Sequence, residues 1–144
     1  PIDRTLPTQL QQAIDLWAGL GCRVQRMSPE AHDAAFAAVS HLPHLIAFAL
    51  MNAITGQPAG ADFLSLAGPG FRDFTRIAAS DPQVWRDIMI SNREELLAQS
   101  KVFQRNLQAL ELMISSGNTE ALEGLIDQAS LARANWTMTS NRPR

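Results

Sequence analysis

A stretch with no glycine and no internal proline runs from Pro82 to Ser116, where Gly117 closes it. Within it apolar residues recur every seven positions, at Met89, Leu96, Phe103 and Leu110, with Leu107 and Ile114 beside them. This repeat is typical of a coiled-coil-like seam, and a single helix over the stretch would be about 50 Å long. Such a helix exceeds the diameter of a small domain and needs a partner along its length. We therefore predict one long helix and a homodimer. Two shorter helices, broken near residues 99–101, are the alternative.

Proline and glycine divide the rest of the chain into shorter elements. The pattern predicts a first helix from Pro7 to a cap at Gly21, and a last helix from Asn118 to about Trp136. Residues 22–27 alternate like a short strand, which cannot form a sheet alone and is expected to pair with an upstream segment. Residues 34–54 are apolar almost all round, which predicts a buried helix with a kink at Pro43. The prediction is a mainly α fold with one unpaired strand.

Composition narrows the class of protein. The chain has 144 residues, a net charge of −2, 46% hydrophobic and 18% charged residues, which fits one folded domain with a fragment of a second. The mixed charge argues against nucleic-acid binding. A single cysteine, Cys22, excludes a disulfide framework and favours a cytoplasmic location. The longest uninterrupted apolar run, Leu45–Met51, has seven residues, so we expect no membrane contact.

Two histidines, His41 and His44, lie on either side of Pro43 and share one helical face. They are consistent with buried histidines satisfied by local hydrogen bonds, or with an imidazole contact to an anionic substrate. A metal site would need His32 or Asp33 from about two turns away, which is the weakest of the three interpretations.

A second group follows the segment Gly68-Pro69-Gly70, which is expected to form a loop. Arg72 and Arg76 are four residues apart and face the same way, and Asp73 can brace Arg76. This pattern suits a carboxylate, although a solvated helix face with ordinary ion pairs would look the same.

A third candidate is Trp85, at the start of the long helix, which suits a core, an interface or a pocket where two subunits meet. The sequence contains no Gly-rich phosphate loop, no nucleophile beside a base and no carboxylates at catalytic spacing. We therefore predict no catalytic residue in this chain, and groups that bind a carboxylate without the reactive machinery.

The chain contains three motifs, which are Ser40-His41-Leu42-Pro43-His44, the run from Gly70 to Ala78, and Ser80-Asp81-Pro82 followed by Trp85-Arg86-Asp87. At this spacing, the three motifs together resemble the C-terminal domain of prephenate dehydrogenases, over roughly residues 1 to 115. The family includes the arogenate and cyclohexadienyl dehydrogenases of tyrosine biosynthesis.

The resemblance implies an oxidoreductase whose upstream Rossmann domain binds NAD or NADP and carries the catalytic histidine. In the family, a hydride leaves the hydroxyl-bearing ring carbon for the nicotinamide, and the ring carboxylate is lost as carbon dioxide. Residues 1–28 then correspond to the last helix and strand of that Rossmann domain, and residues 29–144 to a helical dimerisation and substrate-closing domain. The fragment alone is expected to be inactive.

The resemblance also assigns roles. Arg76 is expected to bind a carboxylate of prephenate or arogenate, and His44 to contact the other end of the substrate. Trp85 is expected near the pocket at the dimer interface. His41 and Asp73 become supporting neighbours, and Gly68 and Gly70 belong to the adjoining loop, where Pro69 lacks an N–H to donate. No metal is expected. The alternative is a non-catalytic helical homodimerisation module, in which Arg76 and His44 are exposed and replaceable.

Overall fold

The computed structural model describes residues 1–138, and all regular structure in that range is helical. The predicted mainly α fold is therefore confirmed. The α-helices are α1 (Pro7–Gly19), α2 (Pro29–Phe36), α3 (Leu42–Thr55), α4 (Gly60–Ser65), α5 (Pro69–Thr75), α6 (Pro82–Ser91), α7 (Arg93–Ser116) and α8 (Thr119–Asn135). A π-helical turn (Ala37–His41) joins α2 to α3, and a 3-10 turn (Arg76–Ala79) follows α5.

Contacts divide the chain into two compact units. One is Glu30–Lys101, in which α3 packs against the π-helical turn, α4, α5 and the 3-10 turn. The other combines Pro1–Pro29 with residues 102–138. All the predicted site residues lie in the first unit. The predicted domain boundary between residues 28 and 29 remains a prediction.

The short strand predicted after α1 is not formed. Helix α1 ends in a Schellman motif, with Gly21 at φ +81° and the N–H of Cys22 donating to the carbonyl oxygen of Trp17 over 3.0 Å. The residues that follow, 22–28, have no regular secondary structure. A strand exists through hydrogen bonds to a second strand, and the described part of the chain supplies none.

The predicted single helix from Pro82 to Ser116 is wrong, and so is the alternative break near residues 99–101. The helix breaks at Asn92, whose backbone (φ −112°, ψ 32°) leaves the helical region. Asp81 caps the start of α6, accepting hydrogen bonds from the backbone N–H groups of Gln83 and Val84, both at 2.9 Å. Helix α7 has 24 residues, which corresponds to about 36 Å.

The isolated chain has a very small core. Among the described residues, the buried apolar ones are Ala37, Ala47 and Leu96. Large apolar side chains stay exposed, including Val39 at 75% and Leu66 at 84%. Within the described chain the apolar segment 34–54 is thus only partly covered, which differs from the buried helix that the sequence predicts.

One described helical segment, Pro29–Thr55, is long and apolar enough to cross a membrane. It has 27 residues and a window of mean hydropathy 1.6, of which 11% is buried. The longest uninterrupted apolar run, of seven residues, understates how apolar this segment is, because a mean hydropathy over a window tolerates isolated polar residues. This criterion uses only the length and the composition of a helix, so the core helix of a soluble protein also meets it.

Candidate functional site

The two histidines are set on their helix by a local irregularity. The N–H of Leu42 donates to the carbonyl oxygen of Ala37, five residues back, which makes this a π-helical turn rather than an α-helical one. Pro43 follows directly, and in a regular α-helix its ring would press on the carbonyl of Val39. The predicted kink therefore takes the form of a wider turn. His41 ends that turn and His44 lies in the first turn of α3.

Trp85, from α6, brings the histidine motif and the tryptophan motif together. Its indole stacks on the imidazole of His44, with 3.4 Å between ring centroids and 18° between ring planes. His41 meets the same indole edge-on at 6.2 Å, and Phe48 does so at 6.4 Å. All of these side chains are half-buried. The stacking holds His44 and Trp85 in one fixed arrangement, with both rings still reachable from solvent.

Hydrogen bonds orient each imidazole. His44 Nδ1 donates to the backbone carbonyl oxygen of Ser40 over 2.9 Å. His41 Nδ1 lies 3.2 Å from Nδ2 of Asn92, and that same Nδ2 donates to the carbonyl oxygen of Asp33 over 2.8 Å. Asn92 is buried, with 9% of its surface exposed. Asn92 is not among the site residues that the sequence predicts, and the one signal that could have found it is a polar residue interrupting an apolar helical pattern.

Burial lowers the pKa of His41 below its usual value of 6.5. The neighbouring His32 and His44 lower it further, since a charged neighbour of the same sign disfavours protonation, and the carboxylate of Asp33 partly opposes them. His41 is therefore a neutral imidazole at physiological pH.

Arg76 is the first residue of the 3-10 turn, and that turn packs against α3. Its guanidinium is exposed and makes no ion pair with an acidic residue of the described chain. Asp73 does not brace it as expected. Asp73 accepts a hydrogen bond from Nε of Arg72, its neighbour in sequence, over 3.1 Å. The Arg76 side chain is thus available for an anionic ligand.

The expected loop at residues 68–70 is also different. Gly68 precedes α5 with an ordinary φ of −96°, and Gly70 lies inside the helix. Neither glycine adopts a positive φ, and a Cβ atom at either would meet no atom within 4 Å. Pro69 occupies the first helical turn, where its fixed φ suits a helix start. These glycines therefore contribute no special backbone geometry to the site.

The three histidines do not converge on one point. His32 is bonded to Asp33 at 3.0 Å and stacked on Phe36 at 4.4 Å. Residues 1–138 contain no group of three or more histidine, cysteine or acidic side chains placed to hold a metal ion. His32 and Asp33, one of which a metal site would need, thus take part in other contacts.

Comparison with known proteins identifies the family to which this chain belongs. The sequence model of the prephenate dehydrogenase dimerization domain matches residues 28–128. The chain belongs to the prephenate dehydrogenase family. Among curated relatives, the cyclohexadienyl dehydrogenase of Zymomonas mobilis is 36% identical over 121 residues, which are 83% of this chain and 41% of that protein. The prephenate dehydrogenase of Bacillus subtilis is 30% identical over 123 residues, 85% of this chain and 33% of that protein.

Solved structures of the family agree. A prephenate dehydrogenase from A. aeolicus, in complex with hydroxyphenyl propionate and NAD+, superposes with a TM-score of 0.85 at 37% identity, over 93% of this chain and 47% of that one. The arogenate dehydrogenase of Synechocystis gives 0.80 at 28% identity, over 95% of this chain and 50% of that one. The chain thus spans less than half the length of the curated relatives it matches. It corresponds to the dimerisation part of the family.

Proposed function

We propose that this chain is the dimerisation and substrate-closing part of an NAD- or NADP-dependent dehydrogenase that oxidatively decarboxylates prephenate or arogenate. The observation that carries the proposal is the joint arrangement of His44 stacked on Trp85 and an unpaired Arg76 on a turn packed against the same helix. A fixed aromatic surface and a cation whose turn packs against the same helix suit a ring-containing dianion. Family membership supports the reaction class.

We assign substrate contacts to Arg76, His44 and Trp85. A guanidinium offers donors in a fork that matches a carboxylate, so Arg76 binds and orients one carboxylate of the substrate. Nδ1 of His44 donates to the carbonyl oxygen of Ser40, and within residues 1–138 its Nε2 makes no hydrogen bond. That free nitrogen can contact the other end of the substrate. His41 supports the site through its edge-on contact with Trp85.

The dinucleotide is expected on another part of the protein. The sequence has no Gly-rich phosphate-binding turn, so the residues of this chain do not form a dinucleotide site of their own. The solved relative from A. aeolicus contains NAD+, which supports NAD as the cofactor of the full protein. When bound, the nicotinamide would accept the hydride. This chain contributes substrate binding and orientation.

We further propose that the protein is a cytoplasmic homodimer that contacts neither a membrane nor nucleic acid. The family description supports dimerisation, and the small core of the isolated chain leaves apolar faces that a second copy would cover. The apolar surface of Pro29–Thr55 then faces protein rather than lipid.

The test uses the full-length protein. Reduction of NAD and of NADP is followed with prephenate and with arogenate, for the wild type, Arg76→Ala and Arg86→Ala. Arg86 is a matched control because its guanidinium is exposed and already paired with Asp87 at 2.8 Å. We expect kcat/KM to fall about 100-fold in Arg76→Ala, equivalent to about 2.7 kcal/mol of transition-state stabilisation, and to stay near wild type in Arg86→Ala.

The other outcomes separate the alternatives. Equal activity of Arg76→Ala and wild type would keep the reaction and remove Arg76 from the site. No turnover with any combination of substrate and cofactor would favour the non-catalytic homodimerisation module.

A further inference from the structure

The buried side chain of Asn92 has no place in the proposed function, yet it is held by two specific contacts. Its Nδ2 lies 2.8 Å from the carbonyl oxygen of Asp33 and 3.2 Å from Nδ1 of His41. A backbone carbonyl can only accept a hydrogen bond. The amide nitrogen, and not the amide oxygen, must therefore face Asp33, which settles the orientation of the Asn92 amide. Its two N–H groups then serve one acceptor each.

This orientation determines the tautomer of His41. Because Nδ2 of Asn92 can only donate, Nδ1 of His41 must accept, and the single proton of the neutral ring lies on Nε2. His44 has the opposite arrangement, since its Nδ1 must carry a proton to donate to the carbonyl oxygen of Ser40. The two imidazoles beside Trp85 are thus fixed as opposite tautomers by their partners.

We propose that Asn92 is a positioning residue that holds His41 as the neutral tautomer protonated on Nε2. This leaves a hydrogen-bond donor on Nε2 of His41, the ring that meets Trp85 edge-on. The tautomer assignment rests on the two contacts of Asn92 and does not depend on the proposed function.

A proton on Nδ1 of His41 would break the hydrogen bond from Asn92. The charged and titratable groups acting on His41 are His32 and Asp33 of α2 and His44 of α3, and they oppose one another in sign. Asn92 adds no charge, so it selects the tautomer without attracting a proton.

The test is nitrogen-15 NMR of the imidazole rings in full-length protein labelled on histidine, near neutral pH. The His41 signals are identified by their loss in His41→Gln. Long-range correlations from the ring carbon protons distinguish a protonated Nε2 from a protonated Nδ1. We expect wild-type His41 to show a protonated Nε2 and an unprotonated Nδ1. The reverse pattern in the wild type would overturn the proposal without any Asn92 variant.

Two variants test whether Asn92 sets the tautomer of His41. In Asn92→Asp, a carboxylate replaces the amide donor, and we expect the His41 pattern to reverse or to become that of a charged ring. In Asn92→Ala, neither tautomer is selected, and we expect a mixture. The control is Asn106→Asp, an exposed asparagine of α7 that touches no histidine, which should leave the pattern unchanged. An unchanged His41 pattern in a folded Asn92→Ala variant would refute the role of Asn92. Neither result depends on turnover, so it is independent of the dehydrogenase proposal.

Discussion

At the residue scale, Trp85 organises the site. Its ring is the common neighbour of His44, His41 and Phe48, which come from two helical segments. A flat apolar ring can pack on several partners at little cost in conformational entropy, because it has only two side-chain torsions. Both imidazoles therefore share one ring contact from α6, in addition to the hydrogen bonds that orient each of them.

The Trp85→Phe substitution tests this contact. The smaller ring loses part of the overlap with His44, so we expect the free energy of unfolding to fall by about 1 kcal/mol, within the range for aromatic pairs. Urea unfolding measures the change. Trp17→Phe in α1 is the control, because Trp17 is 54% exposed. Equal effects of the two substitutions would contradict a specific role for the His44 contact.

The lowered pKa of His41 makes stability depend on pH in a defined direction. The unfolded chain binds a proton at a higher pH than the folded one, near the usual histidine value of 6.5. We therefore expect the free energy of unfolding to decrease as the pH falls below about 6.5 and to level off below the folded pKa. His41→Gln should flatten that part of the profile, as measured by urea unfolding between pH 5 and pH 8, about the range over which histidine titrates. A profile identical to wild type would contradict this assignment.

At the element scale, the sequence predicts helices better than it predicts their ends. Glycine at Gly21 and Gly117, and the cap at Asp81, mark helix boundaries through backbone chemistry that is local. The break at Asn92 has a different origin, because the side chain turns inward to Asp33 and His41, which are distant in sequence. The local sequence pattern carries no information about a contact between residues that are distant in sequence. For the same reason, the pattern does not identify Asn92 as a site residue.

The pairing of Asp73 gives a second example. Spacing places Asp73 within reach of both Arg72 and Arg76. In the structure Asp73 pairs with Arg72, inside α5, and Arg76 lies just beyond the end of that helix. Helix ends are the least reliable part of a prediction from sequence. The motif residues His44 and Trp85, by contrast, meet across α3 and α6 in a way that the resemblance anticipated only in outline.

Two glycines provide a matched test of packing between elements. A Cβ atom at Gly60, where α4 begins, would lie 2.5 Å from the carbonyl oxygen of Ile54. Because backbone must shift to relieve that contact, we expect Gly60→Ala to destabilise the fold by about 1 to 3 kcal/mol. At Gly124, inside α8, a Cβ meets nothing within 4 Å, and Gly124→Ala should stabilise by about 0.5 to 1 kcal/mol. Thermal unfolding of both variants checks the opposite signs; a stabilised Gly60→Ala variant would contradict the close approach.

At the scale of the whole molecule, the exposed apolar surface indicates how the proposed dimer forms. On α7, Phe103, Leu107, Leu110 and Ile114 share one face by their spacing, and Ile114 is 64% exposed in the isolated chain. A face of this kind gains stability by packing against another protein surface. The proposed second copy of the chain supplies that surface.

The Ile114→Glu substitution places a charge on this face. We expect the proposed dimer to weaken at least 10-fold, because a carboxylate buried in an apolar contact without a partner costs more than 1.4 kcal/mol. Sedimentation velocity over a range of protein concentrations measures the dissociation constant. Gln108→Glu is the control, since it adds the same charge to a polar, exposed position of α7. A dimer unaffected by Ile114→Glu would place the interface elsewhere.

The very small core has a consequence for how this protein gains its stability. Among the described residues three apolar side chains are buried, and many large ones stay exposed. If the proposed second copy covers these side chains, part of the stability comes from association, which is governed by mass action. The midpoint temperature of unfolding then rises with protein concentration, and dilution alone favours the unfolded chain. For such a dimer, the amount of protein that a cell makes becomes part of what keeps each molecule folded.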